Sequence, residues 1–163
     1  MADVFTKAKR SEVMSRIRSR GNRDTELALA KLLRTQRISG WRRHFLIRSA
    51  ECEVRSGTSP RPSPQSGEGG GFRVRPDFVF RERRLALFVD GCFWHGCPQH
   101  ATQPKNNAAF WRKKIAANKT RDRLVSRSLR QDGWCVLRIW EHELRRKREV
   151  RLVARLKRFL GNG

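Results

Sequence analysis

A chain of 163 residues fits one globular domain with a single core, and its 38 Lys and Arg against 15 Asp and Glu leave a formal charge of +23. A field of that sign attracts polyanions, and the basic residues run from Lys7 to Arg158 rather than forming a tail. The longest apolar run, Leu85 to Val89, is too short to span a bilayer, and no amphipathic anchor accompanies it, so nucleic acid rather than a membrane is the expected partner.

In chain order, residues 1–21 read as a basic arm, with a helix from Asp3 to Arg18 that carries Val13, Met14 and Ile17 on one face. The compact part is expected over 22–160. Leu27, Leu29, Leu32 and Leu33 predict a helix from Thr25 that fades near Ser39-Gly40, with Asp24 or Thr25 capping its first turn. Trp41 to Ile47 predicts a strand, and the runs Phe78–Phe80 and Leu85–Asp90 predict a hairpin about the charged turn Arg81 to Arg84. Trp111, Ile115, Val125 and Leu129 predict a long helix from Asn107, its cap, to Gln131, stopped by Gly133. A strand over Trp134–Trp140 and an amphipathic helix over Glu149–Leu160 follow, giving an α/β order that suits a mixed sheet flanked by helices.

Residues 48–73 break this pattern. Rich in Gly, Pro and Ser, they cannot bury a core and read as a disordered insertion between two strands, with Cys52 inside it. Loop-closure cost grows slowly with length, so the host domain is expected to tolerate such an insert.

The densest chemistry lies in Asp90-Gly-Cys-Phe-Trp-His-Gly-Cys-Pro-Gln-His100. The leading residues, Met1 to Arg10, lack the pattern of a secretory signal, so a cytoplasmic, nucleoid-associated location is expected, where disulfides are rare. Cys92, Cys97 and His100 can instead converge on a structural zinc. The best fourth ligand is His142, which meets this loop if the strand ending at Trp140 neighbours the one ending at Asp90; Cys135, or His95 in place of His100, are the alternatives. Four ligands leave no open position on such an ion, so hydrolysis needs a second site. Asp77, in Arg75-Pro-Asp-Phe78, enters one hairpin strand where its partner leaves through Val89 and Asp90. Its carboxylate and the Val89 carbonyl can bind Mg2+, with phosphate oxygens and water completing an octahedron. His95 can move a proton near neutral pH, and Glu26, opening a helix, offers a third group. Phe93, Trp94 and Trp111 are candidates to wedge between bases, which costs less where pairing is faulty. Asn118 and Asp122 place polar groups on the apolar stripe of the long helix, where they can orient a functional side chain.

Thr25-Glu26, Arg75-Pro-Asp-Phe78, Phe88-Val-Asp-Gly-Cys-Phe-Trp-His95, Phe110-Trp111, Asn118, Arg121-Asp122, Gly133-Trp134 and Trp140-Glu141 together closely resemble the very short patch repair endonucleases. The resemblance covers about Lys7 to Ile47 and Arg75 to Leu144. It implies a restriction-endonuclease-like fold with a structural zinc loop, and Mg2+-dependent nicking of double-stranded DNA 5′ to the thymine of a T:G mismatch by a monomer. It implies Asp77 as the magnesium-binding aspartate, with the Val89 carbonyl beside it, His95 as the histidine that handles protons, and Glu26 as the active-site glutamate. It further implies Met14, Phe93, Trp94, Trp111 and Asn118 at the DNA, and Cys92, Cys97, His100 and His142 around zinc. Val89-Asp90 stands where a well-studied form of the family has Thr-His, so Asp90 is expected to join the magnesium site or take a histidine's role. Val74 replaces the usual Gly, and the insertion is foreign to the family. The competing expectation is a zinc-stabilised DNA-binding protein whose nuclease the insertion has disabled.

Overall fold

The computed structural model describes residues 25–48, 72–102 and 104–161; the expected N-terminal arm with Met14, Asp24, and Cys52 lie outside them. Helix α1, Glu26–Thr35, buries Leu29, Ala30, Leu32 and Leu33, the three-and-four spacing of one stripe. Leu27 falls off that stripe and is exposed. The helix stops before Ser39 because Arg37 turns left-handed (φ 54°) and the Ile38 amide closes back on the Leu33 carbonyl at 2.9 Å. Thr25 occupies the cap position without a side-chain cap hydrogen bond.

The strand expected over Trp41–Ile47 is broken in two: β1, Trp41–Arg43, and β2, Ile47–Arg48. His44 causes the break, with φ of 51°, outside the extended region. β3 (Arg73–Val74), β4 (Phe78–Phe80) and β5 (Leu85–Asp90) follow, then α2 (Ala108–Gln131), β6 (Cys135–Trp140), two short 3-10 turns and α3 (Glu149–Gly161). Asn107 caps α2 in the left-handed region without a side-chain bond, and Gly133 (φ 76°) permits the reversal that ends it.

The main sheet has the order β1-β4-β5-β6. β4 and β5 form the expected antiparallel hairpin, while β6 returns through α2 to lie parallel to β5, Asp90 opposite Trp140. β2 pairs with β3 through Ile47–Val74 and Arg48–Arg73. The insertion is therefore bracketed by a ladder, and its edge residues Arg48 and Arg73 belong to paired strands rather than to the insert.

Strand alternation sorts the core into two halves. Phe78, Phe80, Leu85, Leu87, Leu137 and Ile139 face α1 and α3, whose Leu29, Leu33, Leu152 and Leu156 complete one cluster. Val79, Ala86 and Val136 face Leu129 of α2, with Ile47 and Val74 of the small ladder closing that side. Among the described residues no helix is long and apolar enough to cross a membrane.

Candidate active site

The parallel pairing of β5 and β6 brings their C-terminal ends together, and three clusters of ligating or titratable side chains gather there. The first is the cysteine–histidine loop. Cys92 and Cys97 lie in the turns after β5, and His142 enters from the 3-10 turn Glu141–Leu144 directly after β6. The His142 Nδ1 atom is 3.2 Å from the Cys92 Sγ and 3.6 Å from the Cys97 Sγ, and Cys97 Sγ is 3.8 Å from the His100 Nδ1. Thiolate and imidazole ligands on a tetrahedral zinc stand about 3.6 Å apart, given bonds of about 2.3 and 2.0 Å. These four residues therefore have the donor set and spacing to hold a metal ion. Burial lowers the His142 imidazole from its ordinary range, the direction that favours the neutral ligand form, and burial raises the Cys92 thiol, the direction that disfavours a free thiolate. A side chain on Gly96 (φ 61°) would press into Ile115 and Lys119, so the loop lies tight on α2. Cys135, at the far end of β6, is exposed and outside the cluster.

The second cluster is Glu26, His44 and Asp77, one donor atom of each lying within 4.8 Å of the others. Asp77 Oδ2 accepts a 2.7 Å hydrogen bond from the Val89 amide, confirming that the two hairpin ends meet. Burial pushes the Asp77 carboxyl up from 3.8 to about 6; the Val89 bond lowers it, but Glu26 and Asp90 raise it further. Asp77 has no ion-pair partner among the described residues. The Glu26 carboxylate is buried, with Arg43 Nη2 at 2.6 Å and His44 Nε2 at 3.1 Å from Oε2. His44 is aimed inward by its left-handed backbone, a conformation uncommon outside Gly and of the kind that collects at functional sites.

The third cluster is Asp90, His95 and Asp122. His95 Nδ1 lies 2.6 Å from Asp122 Oδ2 and 3.6 Å from Asp90 Oδ1. Asp90 is gripped at both oxygens by Arg138, Nε and Nη2 each at 2.6 Å, and the same guanidinium reaches Asp122 at 2.9 Å. Asp90 is thus paired with Arg138, while its charge still acts on Asp77. It faces α2, because residues 89 and 90 point to opposite sides of the sheet. Burial works against ionisation of Asp122, yet the His95 hydrogen bond and the fields of Arg138 and Arg121 hold its carboxyl below the usual range. Replacing Arg138 by Met leaves the buried Asp90 without its counter-ion. Urea unfolding is expected to show a loss of about 3–5 kcal/mol, whereas a loss below about 1 kcal/mol would make the pair dispensable.

Beside these clusters the aromatics form a surface patch. Phe93 packs against Trp94 and Trp111 with centroids 5.2 Å apart in each case, and the exposed Phe110 joins at 5.3 Å from Trp111. Trp111 belongs to neither core cluster, despite its helical spacing to Ile115. Asn118 is buried beneath this patch, its amide donating to the Trp94 carbonyl at 2.8 Å, where a DNA contact had been expected. It positions the loop, the orienting role open to a polar residue on an apolar stripe.

Sequence reading missed His44, Arg43 and Arg138. His44 and Arg43 looked like members of a continuous basic strand, and only the break at residue 44 turns them toward Glu26. Arg138 was legible in principle, since a lone Arg inside the apolar run Val136–Trp140 needs a buried carboxylate.

A nuclease architecture is thus drawn by a buried carboxylate group, a histidine braced by an aspartate, and a cysteine–histidine loop on a strongly basic chain. A family model described as DNA mismatch endonuclease Vsr matches residues 68–101. Relatives include the Type II nicking enzyme V.NaeI of Lentzea aerocolonigenes, 42% identical over 59% of this chain and 67% of its own length. The Type II nicking enzyme V.XorIIP of Xanthomonas oryzae is 39% identical over 68% of this chain and 87% of its own. The DNA mismatch endonuclease Vsr of Escherichia coli is 34% identical over 92% of this chain and 80% of its own. The chain belongs to the Vsr family of DNA endonucleases.

Proposed function

We propose that this endonuclease uses Mg2+ at Asp77 to hydrolyse one strand of duplex DNA, nicking 5′ to the thymine of a T:G mismatch. The observation that carries the reading is the half-buried Asp77 carboxylate, without an ion-pair partner among the described residues, grouped with Glu26 and His44 where β4 begins and β5 ends. A hard cation fits this donor set, since carboxylate oxygens suit hard ions and no ion pair offsets the Asp77 carboxylate among the described residues. When bound, Mg2+ supplies Lewis acidity toward a phosphate oxygen and an acidified water. Asp77 would hold the ion through a carboxylate whose Oδ2 the Val89 amide fixes in direction, and the Val89 carbonyl would be the further backbone donor. Glu26 completes the acidic wall. His95 moves the proton through Nε2, because Asp122 engages Nδ1 and fixes the ring.

In this reading the Cys92, Cys97, His100 and His142 set carries a structural zinc that anchors the loop bearing Phe93, Trp94 and His95. Phe93, Trp94 and Trp111 unstack the duplex at the faulty pair, for a few kcal/mol. The fold is of the restriction-endonuclease type, with residues 22–160 as the catalytic unit and 1–21, including Met14, as an arm on the DNA. The enzyme acts as a monomer. The ladder Ile47–Arg48/Arg73–Val74 supports an active enzyme over an insertion-disabled DNA-binding protein, since it joins the chain across the insert before Asp77 is reached.

The Escherichia coli relative is named for mismatches, and the other two for nicking as Type II enzymes. Initial nicking rates on otherwise identical T:G and T:A duplexes separate these specificities. A mismatch reader is expected to favour T:G at least about tenfold, the factor that roughly 1.4 kcal/mol of discrimination at one base pair gives. Equal rates on both duplexes contradict the mismatch reading, and nicking of neither contradicts the nuclease reading.

A further inference from the structure

We propose that His44 is a nitrogen donor to the divalent cation held by Asp77, making the centre a mixed carboxylate–imidazole site. The inference rests on the reading of Asp77 as a cation ligand. Three observations carry it. The His44 Nε2 is 3.1 Å from Glu26 Oε2, and adjacent ligands of an octahedral ion with bonds of about 2.1 Å stand about 3 Å apart. One donor atom each from Glu26, His44 and Asp77 falls within 4.8 Å of the others, a grouping that could hold a metal ion.

The second observation concerns why the imidazole is there. Arg43 already offsets the Glu26 charge at 2.6 Å, so His44 is not required as a counter-ion. The third is the backbone. β1 ends at Arg43, and His44 adopts φ of 51° while its amide donates to the Asp77 carbonyl at 3.3 Å. That bond ties the two candidate ligands together through their main chains, and the left-handed turn points the ring at Glu26 rather than along the strand.

A nitrogen donor changes which ion the site prefers. An all-oxygen site suits Mg2+, whereas an imidazole strengthens binding of later divalent ions more than of Mg2+. The test uses the zinc-loaded full-length protein with Mn2+ as the probe and electron spin echo modulation as the readout. The wild type is expected to show coupling of Mn2+ to a directly bound nitrogen, lost in His44→Asn and kept in His95→Asn. Asn is well accommodated in the left-handed region, so His44→Asn preserves the backbone. His44→Asn is further expected to weaken Mn2+ binding at least about tenfold and Mg2+ binding by less. Absence of nitrogen coupling in the wild type, which needs no variant, overturns the proposal, as does coupling that survives His44→Asn. Unchanged Mn2+ affinity in Asp77→Asn instead overturns the underlying reading of Asp77.

Discussion

Asp77→Asn is expected to abolish nicking while making the metal-free protein more stable at neutral pH. Loss of a cation ligand removes several kcal/mol of transition-state stabilisation, so the rate should fall by at least about a thousandfold. Stability moves the other way because the folded protein holds the Asp77 carboxyl at about 6, against 3.8 for the ordinary group. The folded state therefore binds protons more tightly than the unfolded one, and this group weakens the fold as pH rises from about 4 to about 6. Above that window the full cost remains, roughly 3 kcal/mol at most for a shift of about two units. Asn carries no charge and can still accept the Val89 hydrogen bond. Thermal melts in chelator are expected to show the variant more stable at pH 7.5 and matched to wild type near pH 3.5, if both are folded there. A variant less stable at pH 7.5 would place the destabilising charge elsewhere. In the wild type the same proton competes with the cation, so nicking at limiting Mg2+ should decline below about pH 6.

Cys97→Ser is expected to have the largest effect on stability. Cys97 is among the most buried side chains, and its Sγ lies within 3.8 Å of both His100 and His142. Structural zinc binding contributes on the order of 10 kcal/mol in small zinc domains, a quantity comparable with the whole stability of an ordinary domain. The variant should bind substoichiometric zinc, melt well below the wild type, and expose the Phe93–Trp94 loop to protease. Cys135→Ser, at an exposed thiol outside the cluster, should do none of these. Equal zinc content and equal melting in the Cys97 variant would show that the cluster is packed thiols and imidazoles without a metal.

Much of this was legible where side-chain periodicity decides the structure. The hairpin Phe78–Phe80/Leu85–Asp90, the long helix to Gln131, and the meeting of His142 with the Cys92 loop follow from apolar runs and stop signals. The split at His44 did not, because nothing local forbids Trp41–Ile47 from continuing as a strand; the interruption comes from a tertiary contact with Asp77. The ion pair across the strands was legible on one side only: Arg138 called for a carboxylate, but nothing in the sequence said which. Asp90 looked free to meet magnesium until the parallel register set it against Trp140, two residues past Arg138, whose long side chain reaches back to it. Asn118 was legible only in part: a DNA contact and an orienting role were both open to it, and its amide donates to the Trp94 carbonyl.

DNA cleavage is expected to require a divalent ion at Asp77. This requirement is tested most directly by titrating Mg2+ into the full-length enzyme on a T:G duplex labelled on each strand. One labelled strand should be cut, with a rate that rises from zero and saturates, and Asp77→Asn should stay uncut throughout. Cleavage in excess chelator, or an Asp77→Asn curve that overlays the wild type, would contradict it.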